Sequence, residues 1–152
     1  MHSFLLFTHS WLRWLVLIFA VWAIFQALSG WLGKRPYSKL DNKSAVFFIA
    51  FMHTQLLVGL ILYFVSPLIQ MAFASGMGAT MKNAGLRFWA VEHSMMMILA
   101  VVFAQIGRTR SKRASTDLKK HKRAAIFFIL ALVFMLSRIP WHEALRLFRT
   151  SI

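Results

Sequence analysis

Histidine is the side chain in this sequence whose placement can do chemistry on a bound group. There are six, His2, His9, His53, His93, His121 and His142, and no cysteine, so disulfides, thiolate catalysis and cysteine-ligated metal centres are excluded. His2 and His142 sit near the ends of apolar stretches and read as interfacial residues. The other four fall one to each apolar stretch, where a lone imidazole is costly and serves a hydrogen bond, a proton path or a cofactor. Depth pairs them. Measured from neighbouring ends near Phe4 and Arg87, His9 lies about five residues in and His93 about six, or roughly 8 to 9 Å at helical rise. Two imidazoles at one level on facing helices suit the two axial positions of a haem iron. His53 and His121 form a second candidate pair for an additional haem, but their levels differ by roughly 10 Å, and a structural or interfacial role for His121 competes with ligation.

The neighbours of the first pair carry charge. Arg13 follows His9 by one helical turn and Glu92 adjoins His93, so an Arg13–Glu92 ion pair is expected to reduce the penalty of both charges. Arg87 lies one to two turns outward from His93, within reach of a haem propionate or of lipid headgroups. Ser10, Thr54, Gln55 and Ser94 are candidate second-layer donors or ordinary interhelical partners. Zinc hydrolysis is disfavoured, since the sequence has no HExxH, no cysteine ligand and no clustered carboxylates. P-loop, dinucleotide and nucleophile-elbow motifs are absent as well.

The elements that must hold these residues are apolar helices. Of the 152 residues 59% are hydrophobic and only 14% charged, a balance that argues against a soluble domain. Spans are expected at about 4–32, 45–69, 86–106 and 118–141, each long enough to cross roughly 30 Å of hydrocarbon. The net charge of +14 lies between the spans. Lys34, Arg35, Lys39 and Lys43 occupy the first loop, and Arg108, Arg110, Lys112, Arg113, Lys119, Lys120, Lys122 and Arg123 the third. The middle loop, 66–85, has only Lys82. This bias puts the first and third loops in the cytoplasm. The expected fold is an all-α integral membrane four-helix bundle, one domain of up-down topology with both termini on the non-cytoplasmic side, in a bacterial inner membrane. The basic loops then need no nucleic-acid partner, because anionic membrane lipids account for them. Pro140 and the spacing of Trp141, Leu145 and Phe148 predict an interfacial helix at 141–149. The opening Met1–Ser3 has no basic leader and reads as the start of a retained helix.

The stretches HSWLRW (9–14), LDNKSAVFF (40–48), MHTQLLVGLILY (52–63) and RFWAVEHSMMM (87–97) resemble the small four-span cytochrome b-like membrane proteins of Bacteroidetes-type bacteria. More distantly the chain looks like the cytochrome b561 group and the four-helix units of haem A synthase. The resemblance implies haem b, with His9, His53, His93 and His121 as candidate ligands and one haem favoured over two. It also implies electron transfer, with quinol in the bilayer and a membrane or periplasmic redox protein as partners. The sequence departs from the larger cytochrome b pattern in having one histidine per helix and no glycine on the His53 stripe. Two other classes fit the same residues. One is a haem-free accessory or assembly subunit of a larger membrane complex; the other is a proton-conducting protein using Glu92 and the buried imidazoles.

Overall fold

The computed structural model describes residues 1–151, and these are all-α: α1 (His2–Leu32), α2 (Lys39–Val65), α3 (Pro67–Ser75), α4 (Met77–Lys82), α5 (Ala84–Arg87), α6 (His93–Lys112), α7 (Asp117–Ser137) and α8 (Ala144–Leu147), with a π-helical turn (Phe88–Glu92) joining α5 to α6. Local chemistry sets the boundaries. Ser38 and Asp41 form a reciprocal capping box that starts α2, satisfying donors that would otherwise be orphaned. Thr116 caps α7 through the Lys119 N–H. Pro67 takes the first position of α3, where its missing N–H is harmless and where it turns the chain out of α2.

The architecture corrects the simple four-span bundle expected from the sequence. Three helical stretches are long and apolar enough to cross a membrane, His2–Leu32, Lys39–Val65 and Ala84–Lys112, which makes this a multi-pass membrane protein. The stretch expected to span at 118–141 does not qualify. Its helix opens with Lys119, Lys120, Lys122 and Arg123 and stops at Ser137, leaving an apolar run from Ala124 to Leu136 of roughly 20 Å at helical rise. With three qualifying stretches, a shared side for both termini no longer follows. The connection between the second and third spans is also folded, into α3, α4, α5 and the π turn, where a loop was expected. The helix expected at 141–149 shrinks to Ala144–Leu147.

The four long helices form a ring in which α1 touches α2 and α7, and α6 touches the same two. Small residues make this approach close. Ala20, Ala23, Ala27 and Gly30 line the buried face of α1, Ala100, Ala104 and Gly107 that of α6, and Ala124, Ala125 and Ala131 that of α7. Gly107 is so near α7 that a Cβ there would stand 2.4 Å from Phe127 Cβ. Phe48 and Phe128, both fully buried, meet edge to face at 5.1 Å in the centre. Leu15, Ile18, Val21, Phe25, Leu57, Ile61 and Phe64 are exposed, as a lipid-facing surface requires.

Candidate functional site

Toward the end of the ring away from the basic loops lies a cavity of about 150 Å³, walled by α1, α2, α3, α6, α7, the π turn and the tail beyond α7. His9 and His93 both line it. They come from α1 and α6, which stand across the ring from each other, and their ring centroids are 6.4 Å apart at an interplanar angle of 71°. The structure thus brings the first histidine pair together.

Each imidazole is set by its neighbours. His93 Nδ1 lies 2.8 Å from the Arg138 carbonyl, an acceptor only, so Nδ1 carries the proton and Nε2 keeps its lone pair. The π turn immediately before His93 adds a residue to the helical path, which re-aims the side chains beyond it; its Trp89 carbonyl takes the Ser94 hydroxyl at 3.0 Å. His9 rests on α2 at Gly59, where a Cβ would come within 3.0 Å of His9 Cε1. Gln55 Nε2 donates to the His9 carbonyl at 2.9 Å. Three buried polar atoms on this cavity's lining residues have no partner: His9 Nδ1, Arg13 Nε and Gln55 Oε1. Unpaired groups of this kind are rare in folded interiors and mark a place for a ligand or a water.

Of the other residues singled out by the sequence, Ser10, Arg13, Gln55 and Ser94 line the cavity, whereas His53, Thr54, Arg87, Glu92 and His121 do not. The expected Arg13–Glu92 pair does not form: Arg13 Nη2 donates to the carbonyls of Arg146 and Leu147 at 3.1 and 2.8 Å. Glu92 instead accepts from Arg87 at 3.1 Å and lies 3.9 Å from Arg138 Nε. Arg87 is further held by the Met81 carbonyl at 2.8 Å. His53 and His121 are not brought together. His53 is exposed and its Nε2 lies 2.8 Å from Gln105 Oε1. His121 is fully buried at the basic end, its Nε2 donating to the Arg35 carbonyl at 2.9 Å and its ring 5.3 Å from that of Tyr37.

Some of the site was not anticipated. Gly59, Tyr63, Trp89 and the chain's tail all contribute to the cavity or its cover. Trp11 Nε1 donates to the Arg149 carbonyl and Trp14 Nε1 to that of Leu147, each at 2.9 Å; Phe148 stacks on Trp14 at 5.3 Å, and Arg146 lies over the Trp89 ring at 4.3 Å. Trp11 and Trp14 thus fasten the tail to α1. The depth rule that paired His9 with His93 also finds Gly59, which lies about six residues from the same end of its helix, or roughly 9 Å.

Among the described residues no three of His, Asp and Glu gather closely enough to hold a metal ion with protein ligands alone. A metal at His9 and His93 must therefore bring its other ligands with it. Comparison with protein-family models, with curated proteins and with solved structures gives no match for the chain, and the chemistry of this pair of imidazoles is the ground on which its function is read.

Proposed function

We propose that this is a membrane haem protein in which His9 and His93 hold one b-type haem and the chain carries single electrons. The supporting observation is the separation of the two rings. The rings line one cavity from helices that stand across the ring from each other, with centroids 6.4 Å apart, which would let both imidazoles hold one metal between them. A porphyrin iron needs only two protein ligands, so the scarcity of other donors does not count against it. The fixed Nδ1–H of His93 leaves Nε2 free to bind, Gly59 leaves room for the His9 ring, and the unpartnered atoms of Arg13 and Gln55 suit the polar periphery of such a group. Bound there, haem would supply one-electron chemistry in a low-dielectric interior. Quinol in the bilayer and a redox protein at the tail end are the partners this reading names.

The cavity is smaller than the roughly 300–1,000 Å³ usual for ligand sites, so side chains in its wall must move when it fills. The decisive measurement is pyridine haemochrome analysis of the purified chain together with reduced-minus-oxidised spectra. Wild type is expected to carry one b haem, and His9→Ala and His93→Ala each to lose it, while His53→Ala and His121→Ala keep it if folded. A wild-type chain free of haem after growth with haem supplied, recovered instead within a larger complex, would replace this reading with that of an accessory subunit.

A further inference from the structure

The cavity has an end, a floor and side walls, and only one of these is left open. The tail covers the end through hydrogen bonds from Trp11, Arg13 and Trp14. The floor is the buried core, where Val16, Met52, Val101 and Met135 both line the cavity and belong to the packed centre. The α1–α2, α1–α7 and α6–α7 seams are broadly packed, whereas α2 and α6 touch sparsely. Two side chains on this last seam, Leu60 of α2 and Ile98 of α6, line the cavity and are also exposed on the outside of the molecule.

Hydrogen bonds frame that opening above and below. On the tail side Tyr63 of α2 donates to the Ala90 carbonyl of the π turn at 2.9 Å. On the basic side His53 of α2 meets Gln105 of α6 at 2.8 Å. Between these two clips α2 runs for roughly 15 Å; α2 and α6 set the polar Gln55, His93 and Ser94 on the cavity there, and beside them the apolar Leu56, Leu60, Met97, Ile98 and Val101. Side chains without hydrogen bonds or charges rearrange cheaply beside lipid, because the alternative neighbours are equally apolar. The unpartnered polar atoms of His9, Arg13 and Gln55 belong to the cavity behind this window.

We propose that the cavity is loaded sideways from the bilayer, through a window between α2 and α6 bounded by the Tyr63–Ala90 and His53–Gln105 clips, and that it takes a membrane-dissolved amphiphile with an apolar body and a polar edge. This goes beyond the haem reading and does not depend on it: any such ligand would use the same window. It gives His53 a task that needs no metal, since the imidazole closes the basic side of the window.

The chain has no cysteine, so Met97→Cys, or Val101→Cys where the first fails to fold, puts a single thiol on the cavity wall. In proteoliposomes that thiol is challenged with N-pyrenylmaleimide dissolved in the lipid, or with a charged trimethylammonium thiosulfonate in the water on both sides. The lipid-borne reagent is expected to react at least about tenfold faster. Adding Leu60→Trp and Ile98→Trp, which fills the window, lowers pyrenyl labelling by about tenfold, and His53→Leu raises it severalfold. Helicity and elution volume confirm that each variant is folded. Equal labelling by the charged reagent, or a filled window that leaves the pyrenyl rate within about twofold, overturns the proposal. The labelling needs no haem, so its outcome is separate from that of the haem assay.

Discussion

Gly30→Ala tests whether His121 is a structural residue or a ligand. A Cβ at position 30 would stand 2.2 Å from His121 Cε1, 2.3 Å from Nδ1 and 2.5 Å from Cγ, where ordinary contact begins at 3.4 Å. The ring must retreat by about 1 Å or more, and a forced shift of that kind in a filled interior costs about 1–3 kcal/mol. Retreat also pulls Nε2 from the Arg35 carbonyl, now 2.9 Å away, and stranding a buried donor adds about 1–3 kcal/mol. Replacing a helical glycine by alanine returns about 1 kcal/mol. The net expectation is a loss of about 3 kcal/mol, the clash and the broken bond outweighing the propensity gain. Reversible unfolding in mixed micelles, followed by circular dichroism, measures it. In a His121→Ala background the obstacle is gone, and the same substitution is expected to be neutral or stabilising. An equal penalty in both backgrounds would refute the argument. The folded fraction of Gly30→Ala should hold as much haem as wild type, because His9 and His93 lie at the other end of the ring. Loss of haem from folded protein would return His121 to the ligand set.

Two further outcomes follow from residues at opposite ends. Burial pushes the Tyr37 phenol above its ordinary value of 10.0, against a pull from the nearby Arg108. The folded chain therefore keeps a proton that the unfolded chain gives up, and stability falls as pH rises past about 10. Tyr37→Phe should lose less stability than wild type over that rise, and identical slopes would show that the phenol does not contribute. At the tail, Arg13→Met removes two charge-assisted hydrogen bonds to main-chain carbonyls, weakening closure by about 2 kcal/mol and raising the open population roughly thirtyfold. Limited trypsinolysis at Arg146 and Arg149 should accelerate accordingly, and an unchanged cleavage rate would mean that Trp11, Trp14 and Phe148 hold the tail without it.

How far the fold was legible depended on which property set it. Long apolar runs between basic clusters located α1, α2 and α6 because length and hydropathy are summed over many residues. The same sum misjudged α7. Its four early basic residues lie on a helix that is packed beside α1 and α6, and tertiary contacts extend it in a way composition does not record. The small-residue seams were not read from the sequence: alanine at Ala23 and Ala27, and at Ala100 and Ala104, supplies close approach at four-residue spacing without a glycine pair. The segment 66–92 was poorly legible, because short helices stabilised by docking carry no extended period. The Pro67 start and the Asn83 cap, whose side chain accepts from the Leu86 N–H, were its only local marks.

For the site, axial depth along a helix was readable and azimuth was not. Counting residues from helix ends placed His9 and His93 at one level, because rise per residue is nearly constant. The expected Arg13–Glu92 pair used the same count, and it failed because the two side chains have nearer partners on the tail and on Arg87. Charged side chains are long, and a main-chain carbonyl is an acceptor that no sequence pattern advertises. This difference has a mechanistic consequence. Had Arg13 paired with Glu92, the cavity would be bordered by a neutral ion pair and the tail held only by Trp11, Trp14 and Phe148. With Arg13 spent on the carbonyls of Arg146 and Leu147, one of the two cations that line the cavity, Arg13 and Arg146, also holds the tail over its end. A ligand carrying negative charge would compete with the tail for Arg13, so filling the site and loosening its cover are expected to be coupled through one side chain.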